Sequence, residues 1–188
     1  MTTATCPRVA ATILLVMGVS GSGKTTVGLR LAARLKWPFK EGDELHPPAN
    51  IAKMKAGIAL DDADRGPWLA AVGRWIDAWI ASGVCGVIAC SALKRAYRTR
   101  LSEGRPQIRY VFLKGSEATL KARVAARRGH FMPPSLLASQ IADLEAPTPD
   151  EHPIVINIDK TVEAQVDDVV QALNAFDAMA EQRGEARP

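Results

Sequence analysis

Short apolar runs alternate along the chain with longer stretches in which apolar residues recur at helical spacing. The runs predict β-strands at residues 13–17, ending near 41, and at 84–90, 108–115 and 154–159. The stretches between them predict helices over about 25–35, from about 50, and over about 67–83, 93–103, 116–127 and 162–179. Strands separated by helices of this length pair in parallel through right-handed crossovers. We therefore predict a single α/β domain over residues 1–188, a three-layer α/β/α sandwich around a five-stranded parallel sheet.

Two parts of the chain depart from this alternation. The stretch between 128 and 153 is rich in proline, which predicts irregular structure there. The last residues, about 180–188, are polar and predict a frayed tail.

The strongest helical pattern is PWLAAVGRWIDAWIASG (67–83), in which Pro67 suits the first turn. Apolar side chains recur along one stripe of this helix: Trp68, Leu69, Val72, Trp75, Ile76, Trp79 and Ile80. A stripe of this kind is more often core or subunit interface than a ligand cage. We therefore expect it to pack inside the domain or against a second copy of the chain.

Composition and charge narrow the classes of partner. The net charge is +4, and the basic residues concentrate in two clusters, 93–100 and 121–128, instead of a dense stripe with aromatics. Such clusters suit phosphate-bearing small molecules, so we expect no nucleic-acid partner. The apolar stretch before residue 18 is too short to span a membrane. The three cysteines are too few and too scattered for a disulfide framework. Cys85 and Cys90 lie in an apolar run and are expected to be small buried side chains in a reducing compartment, which favours a cytoplasmic protein without a membrane anchor.

The segment MGVSGSGKTT matches the phosphate-loop pattern G-x-x-x-x-G-K-[ST] in full. Its glycines allow backbone N–H groups to turn inward around phosphate oxygens, and the helix that follows directs its positive dipole end at them. Lys24 can reach the β- and γ-phosphates of ATP, and the Thr25 hydroxyl can bind Mg²⁺. The predicted ATP-binding residues are Gly18, Val19, Ser20, Gly21, Ser22, Gly23, Lys24, Thr25 and Thr26.

Other nucleotide-binding classes fit less well. Gly21 and Gly23, followed by Asp43, resemble a dinucleotide fingerprint, but Thr26 stands where a third small residue is needed. There is no N-K-x-D pattern for reading guanine, and the predicted strand at 84–90 lacks the terminal acidic residue of typical ATPases. Small-molecule kinases of this fold often place their working acid after the second strand, where Asp43 stands.

Several blocks together resemble the gluconokinases, small P-loop enzymes related to shikimate and nucleoside monophosphate kinases. The blocks are MGVSGSGKTT, GDELHPPANIAKMKAG, LDDADRGPWL, CSALKRAYR, FLKG and RRGHFMPPSLLASQIADLEAP, and they extend from residue 13 to about 158. The resemblance implies ATP- and Mg²⁺-dependent phosphorylation of D-gluconate at its terminal hydroxyl to give 6-phospho-D-gluconate. It also implies a nucleoside monophosphate kinase-like fold with a small helical lid over about 128–150, and it suggests a homodimer.

On this resemblance, Asp43 is the candidate that accepts or orients the proton of the acceptor hydroxyl, which phosphoryl transfer requires. The alternative is an aspartate that caps a turn beside Gly42. His46 is a candidate ligand of a gluconate hydroxyl, or it packs against Pro47 and Pro48.

Three basic residues are candidates for the acceptor. Arg65 matches an arginine that related kinases direct at an anionic substrate, and a guanidinium can hold a carboxylate with two parallel hydrogen bonds. The alternative for Arg65 is an ion pair with Asp62 or Asp64, in an acidic run that also suits helix capping. Lys94 and Arg98 are further candidates for the substrate or phosphoryl group, against the alternative of surface ion pairs.

The lid carries the remaining candidates. By the resemblance, Arg123 stacks on adenine, Arg127 or Arg128 reaches the transferring phosphate, and His130 belongs to the substrate site. Closure of this lid would exclude water from the phosphoryl group.

Two alternatives to a gluconate kinase remain open from the sequence. One is a kinase for another small anionic acceptor such as shikimate. The other is a slow ATP-dependent switch or binding protein.

Overall fold

The computed structural model describes residues 11–126 and 135–182, and it is organised around a five-stranded, all-parallel sheet. The strand order is β2-β3-β1-β4-β5, so the first strand lies at the centre. The strands are β1 (Ile13–Met17), β2 (Phe39–Glu41), β3 (Gly86–Ala89), β4 (Ile108–Lys114) and β5 (Ile154–Asn157). The predicted fold class is confirmed.

Helices cover both faces of this sheet. They are α1 (Lys24–Leu35), α2 (Pro48–Lys55), α3 (Asp62–Ala81), α4 (Arg95–Ser102), α5 (Glu117–Ala126), α6 (Ser135–Asp143) and α7 (Val162–Gln182). Two short 3-10 turns, Gly42–Leu45 and Pro149–Glu151, lie between them. The prediction of irregular structure throughout 128–153 is wrong for α6, because the prolines flank this helix instead of interrupting it.

Alternation along the strands builds two separate cores. In β1, Leu14 and Val16 pack into the core under α1 and α7, whereas Ile13, Leu15 and Met17 pack into the core under α3 and α4. All five are fully buried. This burial on both faces explains why β1 reads as a continuous apolar run, as central strands of parallel sheets do.

Helix α3 begins five residues earlier than the proline suggested. Asp61 caps it by accepting a hydrogen bond from the backbone N–H of Asp64, whose own carboxylate accepts from the Asp61 N–H. This reciprocal capping box fixes the start of the helix and leaves Pro67 in its second turn. Of the apolar stripe, Trp68 is buried in the core, whereas Trp75 remains 38% exposed.

The cysteines only partly match the expectation of unpaired buried side chains. Cys90 is a free, fully buried thiol. Cys85 is also buried but is disulfide-bonded, so the expectation is wrong for this residue. Within the described residues, no helix combines the length and the apolar character needed to cross a bilayer.

Candidate active site

The phosphate loop connects the central strand β1 to α1 at the carboxyl edge of the sheet. Gly18 and Gly23 adopt φ values of 141° and 96°, which side chains other than hydrogen rarely tolerate. Gly23 is the N-cap residue of α1 and has no side chain with which to cap the helix, so the first N–H groups of α1 can receive an anion. The Ser22 hydroxyl is fully buried and has no hydrogen-bond partner among the described residues. The loop therefore fits the triphosphate that the sequence predicts.

Two side chains at the start of α1 are held by groups around the loop. Lys24 Nζ donates a hydrogen bond to the carbonyl oxygen of Val19, at 3.2 Å. The Thr25 hydroxyl donates to a carboxylate oxygen of Glu41, at 2.7 Å. Burial raises the pKa of Glu41, and the hydrogen bond from Thr25 opposes that rise.

Glu41 is a site residue that the sequence reasoning missed. It is the last residue of β2 and therefore ends at the same edge of the sheet as the phosphate loop. The available signal was its place one residue before the Gly42-Asp43 pair, since parallel strands bring their carboxyl ends together. Thr25 and Glu41 supply the hard oxygen atoms that Mg²⁺ prefers.

A single cleft of about 400 Å³ joins the phosphate loop to the loop after β2. Ser20, Gly21, Gly23, Lys24 and Thr25 line it on one side. The predicted acceptor residues Asp43, His46 and Arg65 line it as well. The tertiary structure thus brings into one space the groups that the sequence placed in three separate segments.

The position of Asp43 depends on tight packing around Gly42. The indole N–H of Trp68 donates to the carbonyl oxygen of Gly42, at 2.8 Å. A Cβ atom at Gly42 would lie 2.2 Å from the carbonyl oxygen of Ala89 in β3, which is far inside contact distance. The 3-10 turn that begins at Gly42 therefore holds Asp43, which is exposed to the cleft, at a defined place.

His46 both packs and faces the cleft. Its ring stacks on Trp68, with centroids 4.3 Å apart and planes inclined by 12°. The side-chain amide nitrogen of Asn50 lies 3.3 Å from Nδ1 and can only donate, so Nδ1 accepts and Nε2 carries the proton. Burial lowers the pKa of His46; Arg65 lowers it further, while Asp43 opposes the shift. The neutral ring can therefore offer its Nε2–H as a hydrogen-bond donor.

Arg65 is buried, with only 8% of its surface exposed, and only one guanidinium nitrogen is engaged by the described residues. Nη1 donates to the Tyr97 hydroxyl at 3.1 Å and to Asp143 Oδ2 at 2.8 Å. Burial by itself lowers the pKa of Arg65, but these two hydrogen bonds outweigh it and raise the pKa. The ion pair is with Asp143, not with the neighbouring aspartates considered from the sequence. Within 11–126 and 135–182, Nε and Nη2 make no hydrogen bond, and together they form an edge suited to a carboxylate.

Lys94 and Arg98 do not line the cleft. Lys94 Nζ donates to Asp62 at 2.7 Å, in the kind of ion pair that the sequence left as the alternative.

The prediction for Arg98 needs correction. Its side chain is 1% exposed and donates to both carboxylate oxygens of Glu151, at 2.6 and 2.9 Å. It also donates to the carbonyl oxygens of Ala92 and Leu93. All three of its nitrogens are used inside the protein, so Arg98 ties the loop after β3 to the segment before β5 and is not retained as a substrate ligand.

The lid candidates are only partly described. Arg123 Nη2 donates to the carbonyl oxygen of Ile158, at 2.7 Å, and its Nη1 lies 4.0 Å from the position of a Cβ at Gly23. Arg123 therefore sits beside the phosphate loop, as its predicted nucleotide role requires. Arg127, Arg128 and His130 lie outside the described residues.

Helix α6 supplies cleft residues that sequence reasoning did not single out. Leu136, Ser139 and Gln140 line the cleft, and Gln140 Oε1 accepts a hydrogen bond from the backbone N–H of Ser20, at 2.7 Å. These side chains were missed because the proline-rich surroundings suggested irregular structure.

The phosphate loop follows the central strand of a parallel sheet and shares one cleft with acidic and guanidinium groups from other segments. This arrangement defines the protein as a P-loop kinase. The shikimate kinase family model matches residues 20–174. A gluconokinase from Gluconobacter oxydans is 47% identical over 164 residues, covering 87% of this chain and 92% of that protein.

Solved structures agree with this match. A gluconokinase from Sinorhizobium meliloti 1021 has a TM-score of 0.81 at 44% identity, covering 93% of this chain and 98% of that one. An unliganded sugar kinase from Janibacter sp. HTCC2649 has a TM-score of 0.83 at 45% identity, covering 87% and 95%. The chain belongs to the gluconokinase family.

Proposed function

We propose that the protein transfers the γ-phosphoryl group of ATP to the terminal hydroxyl of D-gluconate, giving 6-phospho-D-gluconate and ADP. The relatives named above as gluconokinases support this reaction. The structural observation that carries it is the shared cleft, in which a phosphate loop and Asp43 lie together with an arginine that keeps one edge of its guanidinium available.

Asp43 acts on the acceptor hydroxyl. A primary hydroxyl is a weak nucleophile, and a carboxylate within hydrogen-bond reach orients it and accepts its proton during transfer. Asp43 suits this role because it is exposed to the cleft while its backbone is fixed by the packing around Gly42.

Arg65 and His46 bind the rest of the acceptor. The Nε and Nη2 edge of Arg65 holds the gluconate carboxylate with two parallel hydrogen bonds. His46 donates its Nε2–H to a gluconate hydroxyl, and its stacking on Trp68 fixes the orientation of the ring. The guanidinium edge of Arg65 and the neutral Nε2–H donor of His46 lie in the same cleft, so the cleft suits a carboxylate that also carries several hydroxyls.

The phosphate loop holds ATP, with Lys24 neutralising charge on the transferring group and Arg123 beside the nucleotide. Bound Mg²⁺ supplies further charge neutralisation at the phosphates. Thr25 and Glu41, which are hydrogen-bonded to each other here, would hold it through hydroxyl and carboxylate oxygens. Arg127, Arg128 and His130 complete the lid side of this proposal.

The proposal includes a cytoplasmic homodimer that requires neither nucleic acid nor membrane. Cytoplasmic placement follows from the use of ATP. The dimer is supported by Trp75, whose exposed ring contacts Trp79 edge-on at 6.1 Å and offers an apolar surface to a second copy.

A coupled assay of ADP release with ATP, Mg²⁺ and either D-gluconate or shikimate tests the reaction. We expect turnover with gluconate and only background with shikimate. Turnover with shikimate alone would favour the kinase of another acceptor. Tight ATP binding without stimulation by either acid would favour a slow switch protein.

A further inference from the structure

Helix α6 contacts both halves of the cleft through two polar side chains that lie one turn apart. Gln140 Oε1 accepts the backbone N–H of Ser20 in the phosphate loop, at 2.7 Å. Asp143 Oδ2 accepts Nη1 of Arg65 on the acceptor side, at 2.8 Å. Residues three apart on a helix lie on the same face. One face of α6 therefore extends from the phosphate loop to the acceptor arginine.

Apolar packing and a backbone hydrogen bond hold α6 in place. Leu137 is buried in the core under α1 and α7, while Leu136 is buried in a small separate cluster beside the cleft. Just beyond the helix, the Glu145 N–H donates to the carbonyl oxygen of Leu93, at 3.0 Å. Interdigitated apolar contacts of this kind resist independent motion of single side chains.

We propose that α6 couples the nucleotide site to the acceptor site, with Gln140 and Asp143 as positioning residues. The inference rests on the proposed binding of ATP at the phosphate loop and of gluconate at Arg65. Bound phosphates compete for the N–H groups of the loop and so change the contact between Ser20 and Gln140. A shift of α6 then moves Asp143, which holds Nη1 of Arg65 and thereby sets the direction of its Nε and Nη2 edge.

Such coupling is reciprocal, because it is one free energy shared by two binding sites. The nucleotide must change gluconate affinity by the same factor by which gluconate changes nucleotide affinity. Purely structural roles for Gln140 and Asp143 would alter stability without altering this factor.

Isothermal titration calorimetry measures the coupling as the ratio of gluconate Kd values without and with Mg²⁺ and a non-hydrolysable ATP analogue. For the unaltered enzyme we expect a ratio that differs from 1 by at least about fivefold. Gln140→Met removes the acceptor oxygen at similar size, and Asp143→Leu removes both carboxylate oxygens at similar size. Each single variant is expected to bring the ratio within about twofold of 1. The double variant is expected to change the ratio no further, because both residues act through one helix.

Two control variants separate the contact from general disturbance of the helix. Gln140→Glu retains an acceptor oxygen and is expected to keep the ratio even where nucleotide affinity falls by repulsion. Ala142→Ser changes an exposed position of the same helix and is expected to leave the ratio unaltered. A ratio of 1 in the unaltered enzyme, or a full ratio in both Gln140→Met and Asp143→Leu, overturns the inference. An unaltered enzyme that neither binds nor phosphorylates gluconate overturns the proposed function instead.

Discussion

Replacing Arg65 tests the proposed acceptor site most directly. Its Nη1 is engaged by Tyr97 and Asp143, so the edge formed by Nε and Nη2 is the part of the guanidinium that a substrate carboxylate can use. A hydrogen bond to a charged group contributes about 1.5–3 kcal/mol. Loss of two such bonds is worth about 3 kcal/mol or more, which corresponds to roughly a 100-fold change in affinity or above.

We therefore expect Arg65→Ala to raise the gluconate KM by at least about 100-fold while the ATP KM stays within about twofold. Arg65→Lys keeps the positive charge but cannot form two parallel hydrogen bonds to a carboxylate. Its gluconate KM is therefore expected to lie between those of the unaltered enzyme and Arg65→Ala. Steady-state kinetics with each substrate varied at saturating levels of the other provide the assay. Asp143 is 30% exposed and remains open to water, so thermal denaturation should show a folded Arg65→Ala enzyme. Equal increases in both KM values, or an unchanged gluconate KM, would refute the reasoning.

Four further changes test other parts of the structure. Asp43→Asn should lower kcat by about 10²–10⁴-fold with ATP affinity retained, and substantial remaining turnover in single-turnover kinetics would remove Asp43 from the chemistry. Gly42→Ala should lower kcat by about 100-fold, because its Cβ would displace the loop from Ala89 and shift Asp43; a normal kcat would contradict the packing argument. Arg98→Met should destabilise the fold by about 3 kcal/mol in urea denaturation, because it leaves the partly buried carboxylate of Glu151 without its cationic partner, and any folded enzyme should keep its gluconate KM. The hydrogen bond from Arg98 holds the pKa of Glu151 in the folded protein below its usual value. This ion pair therefore stabilises the fold fully at pH values above the pKa of Glu151 in the unfolded chain, and the stabilisation is lost as the pH falls through the pKa in the folded protein. Glu151→Gln should accordingly make Tm fall less steeply below about pH 5. If the variant and the unaltered enzyme lose Tm equally on acidification, that result would argue against this ion pair.

Much of the fold followed from local pattern, and the departures have physical causes. The predicted β1 agrees with the structure because its apolar run is continuous, as burial on both faces requires. Pro67 is typical of a first helical turn and so predicts too late a start for α3. The stronger signal is the reciprocal capping of Asp61 and Asp64. The local pattern missed helix α6 because nearby prolines outweighed its short apolar repeat, although the family resemblance implies a helical lid over this region.

The candidate site divides in a similar way. The phosphate loop was predictable because its function depends on the backbone, and backbone conformation is encoded locally by Gly18 and Gly23. Arg65, just before a predicted helix, and Arg98, within another, were both candidate acceptor ligands, because the sequence does not show which side chains each one meets. The role of each arginine depends on a partner that is distant in sequence: Asp143 lies 78 residues from Arg65, and Glu151 lies 53 residues from Arg98.

Local sequence patterns specify the parallel sheet, the phosphate loop and the loop that carries Asp43, because hydrophobic period and glycine placement act over a few residues. The packing of distant segments selects which charged groups meet in the cleft. It fixed the neutral tautomer of His46, paired Glu41 with Thr25, and left Nε and Nη2 of the cleft-lining Arg65 without a hydrogen bond to the described residues. Contacts of this kind depend on how distant segments pack, and a guanidinium or an imidazole acquires its chemistry from whichever partners that packing places within hydrogen-bond distance.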